Sequence, residues 1–250
     1  MSALRARCPD CRTLTAVAIG PEYQCHSCGR EFAAGLVRVP RAWGDATGAT
    51  MAAAATLRLP WPEAATLAED TLDEQNAAFA RELPVRPLVL GGCCCSHVGA
   101  VRELARRHGR IGVVWIDAHG DLNTPESSPS GNAWGMPLRM LIDAGDVAAS
   151  DVTLLEARNL DPPEVEFIAQ AGIRQELGEL PETIYVAIDC DAVDPTDLDV
   201  WMPEPDGIRL AALEALLASL PRPAGAGITG AVVSERNEAA LARLGHALGL

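Results

Sequence analysis

The stretch from Ile111 to Leu138, IGVVWIDAHGDLNTPESSPSGNAWGMPL, constrains this chain more than any other. Ile111, Val113, Val114 and Ile116 form a short apolar, β-branched run of the kind that becomes a strand buried on both faces. The run stops abruptly in polar residues. Asp117, His119 and Asp121 follow at alternate positions, so persisting strand geometry would aim all three side chains to one side. Two carboxylates and an imidazole converging there suit a divalent metal, offering hard oxygen and borderline nitrogen donors. An Asp-rich turn capping the next element is the plain alternative.

A second stretch of the same form weighs for the metal. About seventy residues on, Ile184 to Asp194 reads IYVAIDCDAVD, an apolar run ending in alternating acids, Asp189 and Asp191, with Cys190 facing the other way. Two such strands in one parallel sheet would gather four carboxylates, a cluster too repulsive to stay buried without cations. Two metals bridged by Asp117 and Asp189 would resolve this, sharing and activating one water.

The rest of the main segment alternates strand and helix, which predicts a three-layer α/β/α domain with a mainly parallel sheet. Strands are expected at Leu36–Val39, Pro87–Leu90, Val152–Leu155 and Ile228–Val233, the last running on to Glu235. Helices are expected over about Ser96–His108, Pro163–Ala171, Leu210–Leu220 and Asn237–Leu248. Trp43–Thr50 reads as a loop, and the Ala- and Leu-rich Pro62–Leu83 as one helix with Pro in its first turn. In such sheets ligands bind beyond the carboxyl ends of the strands, where Asp117, Asp189 and Glu235 fall.

Residues 1–35 differ in character from residues 36–250. Cys8-Pro-Asp-Cys11 and Cys25-His-Ser-Cys28, thirteen residues apart, let two tight turns present four thiolates to one tetrahedral ion, a zinc ribbon holding one structural zinc. Disulfides, or iron in a rubredoxin-like site, are the alternatives. Through Arg38 the segment carries five Arg against Asp10, Glu22 and Glu31, a net +2 in a chain of net −14, which leaves −16 for the remainder. That balance argues against nucleic acid and anionic membranes as partners and favours a structural or protein-contact role for the ribbon. With 48% hydrophobic residues in 250 the chain can bury a substantial core. No apolar run approaches membrane-spanning length and the N-terminus lacks a signal-peptide core, so a cytoplasmic protein is expected.

D-A-H-x-D followed by N-T-P, S-G-N and G-M-P, with D-x-D-x-x-D-P downstream, resembles the arginase and agmatinase (ureohydrolase) family of binuclear manganese hydrolases, from about Leu36 to the C-terminus. The resemblance implies an arginase-like fold, a homo-oligomer, and hydrolysis of a C–N bond in a guanidino or amidino compound by a metal-bound hydroxide. Asp121 would complete one metal site and His119 with Asp191 the other. Asn123, Ser130 and Asn132 fall where arginases hold the α-carboxylate of their substrate. Arg158 to Glu164 resembles the R-x-x-D-P-x-E loop whose Asp contacts the α-amino group, which makes Asp161 and Glu164 candidates. Asp161 before Pro162 is equally a good helix N-cap. Glu235 would contact the guanidinium. Asp121, Asp161 and Glu235 are thus the catalytic candidates.

Two positions depart from the family pattern. Where that pattern reads G-G-D-H-S, this chain has Gly91-Gly92-Cys93-Cys94-Cys95, followed by Ser96-His97. Either Cys94 or His97, one helical turn apart, could replace the usual His ligand, or the cysteines could be packing residues and His97 a satisfied buried group. A thiolate favours zinc, iron or nickel over the family's manganese. Trp134 stands where the family has a proton-transferring His, and indole cannot titrate in water. These departures motivate the rival expectation of a substrate-shifted or non-catalytic member that serves as a metal-stabilised binding or regulatory protein.

Overall fold

The computed structural model describes residues 5–6, 8, 11, 13–19, 22–32 and 35–250; Pro9 and Asp10, inside the first cysteine pair, lie outside the described residues. The N-terminal unit is a four-stranded antiparallel meander of β1 (Arg5–Ala6), β2 (Ala16–Ile19), β3 (Glu22–Cys25) and β4 (Glu31–Phe32). Among the described residues its core groups Cys8, Ala16, Tyr23 and Cys25, with Cys11 packed against them. A core this small cannot stabilise a fold alone, which is why such units depend on a metal or a larger neighbour.

The main sheet contains β5 (Gly35–Val39), β6 (Glu63–Thr66), β7 (Pro87–Gly91), β8 (Gly112–Ile116), β9 (Val152–Leu155), β10 (Ile184–Asp189) and β11 (Gly225–Thr229). Their order is β6-β5-β7-β11-β10-β8-β9, and every pairing is parallel. Because side chains alternate along a strand, these continuous apolar runs feed two cores. Leu36, Leu88, Val114, Val186 and Ile228 face one side, and Val37, Val89, Val113, Trp115 and Tyr185 the other. The first side is covered by α6 (Leu210–Ser219) and α7 (Glu235–Ala247). The second is covered by α2 (Leu72–Glu82), α3 (Ser96–His108), α4 (Pro137–Asp143) and α5 (Pro162–Ala171). This is the expected three-layer α/β/α architecture. Among the described residues no helix is long and apolar enough to cross a membrane.

Several local expectations give way to tertiary structure. Pro62–Leu83 is not one helix: Glu63–Thr66 forms the edge strand β6 against β5, and α2 begins only after Thr71. There Thr71 Oγ1 accepts from Glu74 N while Glu74 Oε2 accepts from Thr71 N, both at 3.2 Å, a reciprocal cap that sets the helix start. Pairing to an existing sheet edge outweighs the helix preference of Ala, which is worth only tenths of a kcal/mol per residue. Within Trp43–Thr50 the chain already turns helical, entering the short α1 (Ala49–Ala53). The last strand ends at Thr229 rather than Val233, and α7 starts at Glu235 because Ser234 caps it, its Oγ accepting from Asn237 N at 3.2 Å. Helix α4, with Pro137 at its first turn and Leu138 and Leu141 buried, was not among the expected helices.

Candidate metal centre

In the sheet order β7-β11-β10-β8 four parallel strands end side by side, and the register sets which residues meet. Ile188 pairs with Ile116, Asp189 with Thr229 and Ile228 with Leu90. Asp117, Asp189, Thr229 and the turn after Gly91 therefore emerge at one level. Strand geometry does not continue past Ile116. Asp121 reaches the cluster through a left-handed turn, with φ 54°, and Asp191 lies in a tight turn closed by Asp191 N donating to Asp189 Oδ1 at 3.0 Å.

The side chains form two overlapping groups that share Asp117. In one, ligand atoms of Cys94, Asp117 and Asp121 all lie within 4.8 Å of one another, and in the other so do those of Asp117, His119 and Asp191. Cys94 Sγ is 2.9 Å from Asp189 Oδ2, 3.5 Å from Asp117 Oδ2 and 3.2 Å from Thr229 Oγ1. His119 Nδ1 is 3.1 Å from Asp191 Oδ2 and 3.5 Å from Asp117 Oδ1. Asp117, Asp121, Asp189 and Asp191 are all buried.

Burial, reinforced by Asp191, pushes Asp189 up to about 7; burial, reinforced by Asp117, pushes Asp191 up to about 6. Burial likewise raises Asp117 and, with the charges of Asp117 and Asp189, holds Asp121 well above the carboxylate range. Burial opposes a charge on His119, yet its contacts with Asp117 and Asp191 hold its pKa at about 12. Two carboxylates about 4 Å apart repel by roughly 4 kcal/mol at an effective dielectric near 20, a repulsion that either bound protons or cations would relieve. Asp121 Oδ2 is buried with no hydrogen-bond partner, an acceptor aimed at nothing in the protein. Convergent oxygen, nitrogen and sulfur donors together with that orphaned oxygen fit divalent ions.

His97 is not among these ligands. It is fully buried behind Thr229, with Nε2 3.3 Å from Thr229 Oγ1 and Nδ1 3.0 Å from Tyr185 OH, and its ring edge-on to Trp115. Burial drops its pKa to about 3, so it is neutral. Of the two candidates in the cysteine run, only Cys94 reaches the carboxylates.

The cluster floors a cleft of about 390 Å³ whose wall includes Asn123, Ser130, Asn132, Trp134, Asp161 and Glu164. Asn123 Nδ2 donates to Asp161 Oδ2 at 2.8 Å, and buried Asn132 is tied to Asp45 in both directions. Ser130 is exposed at the rim. Asp161 and Glu164 form the reciprocal cap of α5 and also line the cleft, and Glu164 Oε1 further accepts from Leu122 N at 2.9 Å. Asp161 is thus the N-cap of α5 and also part of the cleft wall. Glu235 does not reach the cleft: it is exposed at the first position of α7. The chain reverses at Gly230, φ 74°, where any Cβ would overlap the Asp189 carboxylate, so β11 presents glycine and no acid to the site.

Several residues went unassigned in the sequence. Glu204 Oε1 sits 3.5 Å from His119 Nε2 and accepts from Asn159 Nδ2 at 3.0 Å. Arg158 donates to the main-chain carbonyls of Glu156, Asp191, Ala192, Glu204 and Pro205, stapling the loop that carries Glu204 to the turn that carries Asp191. Trp201 meets Trp134 edge to face at 5.6 Å on the cleft wall. An acid between two prolines, Pro203-Glu204-Pro205, was the available sign that this loop is rigid.

In the N-terminal unit the sulfurs of Cys8, Cys11, Cys25 and Cys28 converge within 4.8 Å, with Cys8–Cys28 and Cys11–Cys25 each at 3.5 Å and all four thiols free. Tetrahedral zinc with bonds of about 2.3 Å separates its sulfurs by roughly 3.8 Å, so this single cluster fits one ion.

The model of the Arginase family matches residues 43–237, leaving the cysteine cluster outside. An arginase of Staphylococcus aureus (strain COL) is 35% identical over 142 residues, 44% of this chain and 47% of the relative. The chain therefore spans about half the length of the curated relatives it matches. The arginase of Entamoeba histolytica, solved in complex with L-ornithine, superposes with a TM-score of 0.74 at 19% identity, covering 86% of this chain and 97% of that one. A proclavaminate amidino hydrolase of Streptomyces clavuligerus gives a TM-score of 0.66 at 20% identity, covering 86% and 89%. At these identities the structures speak to the fold alone. With most of its length matched by the family model and its strand-end acids gathered on that fold, the chain belongs to the Arginase family.

Proposed function

We propose that the chain is a metal-dependent hydrolase that cleaves a C–N bond of a guanidino or amidino compound in the cleft above the carboxylate cluster. The observation that carries this is the pair of ligand groups sharing Asp117 on the cleft floor. The names of its relatives, arginase and amidino hydrolase, support the substrate class. Asp117 and Asp189 would lie between two divalent ions, with Asp121 and Cys94 on one side and His119 and Asp191 on the other. Manganese is the first candidate, with nickel, iron or zinc as alternatives; the N-terminal sulfurs would hold zinc. When bound, a divalent pair supplies Lewis acidity and a nucleophile drawn from water at neutral pH.

The chain's own residues bind and orient. Asp161 and Glu164 place carboxylates on the wall, which favours a cationic substrate. Glu204 and Asn159 contact the outer edge of His119 and fix its ring. Trp134 offers an apolar face and no titratable proton. The cytoplasm, with a homo-oligomeric assembly, is the setting we assign.

A screen of guanidino and amidino compounds for urea or ammonia release, with manganese, nickel and zinc each supplied, tests the proposal. Release that is lost in Asp117→Asn supports it. A second reading, a substrate-shifted or non-catalytic member, is favoured by one observation: Trp134 and Trp201 occupy the wall while the turn after β11 brings Gly230 and no acid to it. Tight binding of metal without turnover of any compound would favour that reading.

A further inference from the structure

The two sides of the shared Asp117 differ in kind. One offers a cysteine sulfur with the carboxylates of Asp117 and Asp121; the other offers an imidazole with the carboxylates of Asp117 and Asp191. Soft sulfur selects zinc, iron(II) or cobalt, whereas oxygen-rich donors with one imidazole suit manganese.

The fold holds Cys94 to this position. Gly92 brings the backbone so close to Arg41 O that no Cβ would fit, which pins the turn after β7. Within 3.5 Å the Cys94 sulfur meets oxygens of Asp189, Asp117 and Thr229. Thr229 is in turn backed by neutral His97, which is backed by Tyr185, and all of these groups are buried. Among the described residues the groups bonded to this sulfur are two carboxylates and a hydroxyl, with no cation among them. Cys190 and Cys94 each border an apolar core, but only the Cys94 sulfur is also held by oxygens, those of Asp189, Asp117 and Thr229. A thiol pressed between two buried carboxylates is instead arranged as a ligand, since a shared cation converts three mutually unfavourable groups into one coordination set.

We infer that the centre is chemically asymmetric: the Cys94 side takes a thiophilic divalent ion of the zinc or iron(II) class, and the His119 side a harder ion of the manganese class. This rests on the two-metal reading above, and the experiment separates the two ideas.

The full chain, loaded with two equivalents of zinc and a large excess of manganese, so that zinc does not fill oxygen and imidazole sites on affinity alone, and then desalted, is assayed for metal content beside Cys94→Asp, which keeps a ligand but makes it hard. Wild type should retain roughly two zinc, one of them in the N-terminal cluster, and about one manganese per chain, while Cys94→Asp shifts to about one zinc and two manganese. As an independent readout both proteins are loaded with cobalt(II). The N-terminal thiolates contribute equally to the two spectra, so the wild-type minus Cys94→Asp difference isolates the sulfur-to-cobalt charge-transfer band of Cys94. Should Cys94→Asp not fold, Cys94→Ser gives the same difference spectrum. Wild type holding one zinc and two manganese, or a flat cobalt difference spectrum, overturns the asymmetry and leaves the two-metal reading standing. Metal confined to the N-terminal cluster in both proteins overturns that reading as well, and the asymmetry with it.

Discussion

The two ligand clusters of this molecule are assembled by opposite routes. The four cysteines come from two tight turns, with Cys8 and Cys28 only 20 residues apart in sequence. The strand-end cluster draws on three strands, with Cys94 and Asp189 95 residues apart, and exists only once Ile188 pairs with Ile116 and Asp189 with Thr229. They also occupy opposite ends of the sheet. Tyr23 of the N-terminal unit accepts from Val85 N, just before β7 begins, and Glu22 lies 3.9 Å from Arg222, ahead of β11. A five-residue strand is roughly 16 Å long, so the sulfur cluster sits at the amino ends and the carboxylates at the carboxyl ends. The first is a local cluster of sulfurs on a small core, where an ion would substitute for apolar packing; the second is built on the two apolar cores of the main sheet.

That contrast is broken most directly at the bridging acids. Asp117→Asn and Asp189→Asn should each abolish main-domain metal binding and any hydrolysis while leaving a folded protein that still holds one ion in its N-terminal cluster. The apolar cores on either side of the sheet do not involve these carboxylates, and loss of one bridging charge removes most of what attracts the ions. Main-domain metal content unchanged in either variant would sink the two-metal reading.

Next in size is Trp134. Its ring packs against Gly44 and Gly48 and meets Trp201, and it cannot carry a proton to a leaving amine. We expect slow turnover of arginine-like substrates by the native chain, and a gain in kcat in Trp134→His of up to roughly 10²–10⁴, the usual worth of general acid catalysis. If the indole instead forms the pocket of a different substrate, the same variant loses activity on that substrate and leaves arginine untouched. Rapid arginine hydrolysis by the native protein refutes both accounts.

The parts of the site legible in the sequence are those where adjacency in sequence survives folding. Asp117 and His119, like Asp189 and Asp191, each straddle one turn, and an apolar run ending in acids announces them whatever follows. The turn itself was not legible: Asp121 arrives through a positive φ, which alternation cannot foresee. Glu235 was misassigned because one residue, Gly230, turns the chain away and Ser234 then recruits the acid to a helix start. His97 and Cys94 could not be separated by spacing alone; only the position of Thr229 between His97 and the cluster decides. Pro62–Leu83 failed for a related reason, since an edge strand is defined by its partner β5 more than by its own residues.

A smaller effect should follow from loosening the loop that contacts His119. Glu204→Gln removes the charge near His119 Nε2, and Arg158→Ala unpairs the carbonyls that join the Asp191 turn to the 203–205 loop. Losses of this kind typically weaken metal binding by about 10- to 100-fold. The weakening should fall on the His119 side, measured by manganese titration, with cobalt charge transfer at Cys94 preserved. Equal loss on both sides would mean that Arg158 serves the fold as a whole.

The pH response distinguishes the loaded from the ion-free centre more gently. Asp189 at about 7 and Asp191 at about 6 both lie above their ordinary 3.8, so between about pH 4 and 7 the folded ion-free chain binds more protons than the unfolded one. Its stability therefore falls as pH rises through that window, and His119, held at about 12, continues the trend above its ordinary 6.5. Divalent ions compete with those same protons, so their stabilisation grows with pH. With a chelator mild enough to spare the four-thiolate cluster, the difference in Tm between loaded and chelated protein should widen from pH 5 to pH 8. A constant or narrowing difference would place the ions elsewhere.

The smallest effect expected at the strand-end centre comes from the severest insult to the other cluster. Cys8→Ser or Cys25→Ser leaves three sulfurs where tetrahedral zinc needs four donors, so about one ion per chain should be released and the 5–32 unit should loosen, seen as faster amide exchange there. The main sheet does not depend on that unit for its core, and contacts that join them, such as Tyr23 with Val85 and Glu22 with Arg222, lie a full strand length from Asp117. Main-domain metal content and turnover should therefore remain unchanged. If strand-end metals leave together with the N-terminal ion, the two clusters are coupled through β7 and β11, and the separation between a locally built and a fold-built site does not hold for this protein.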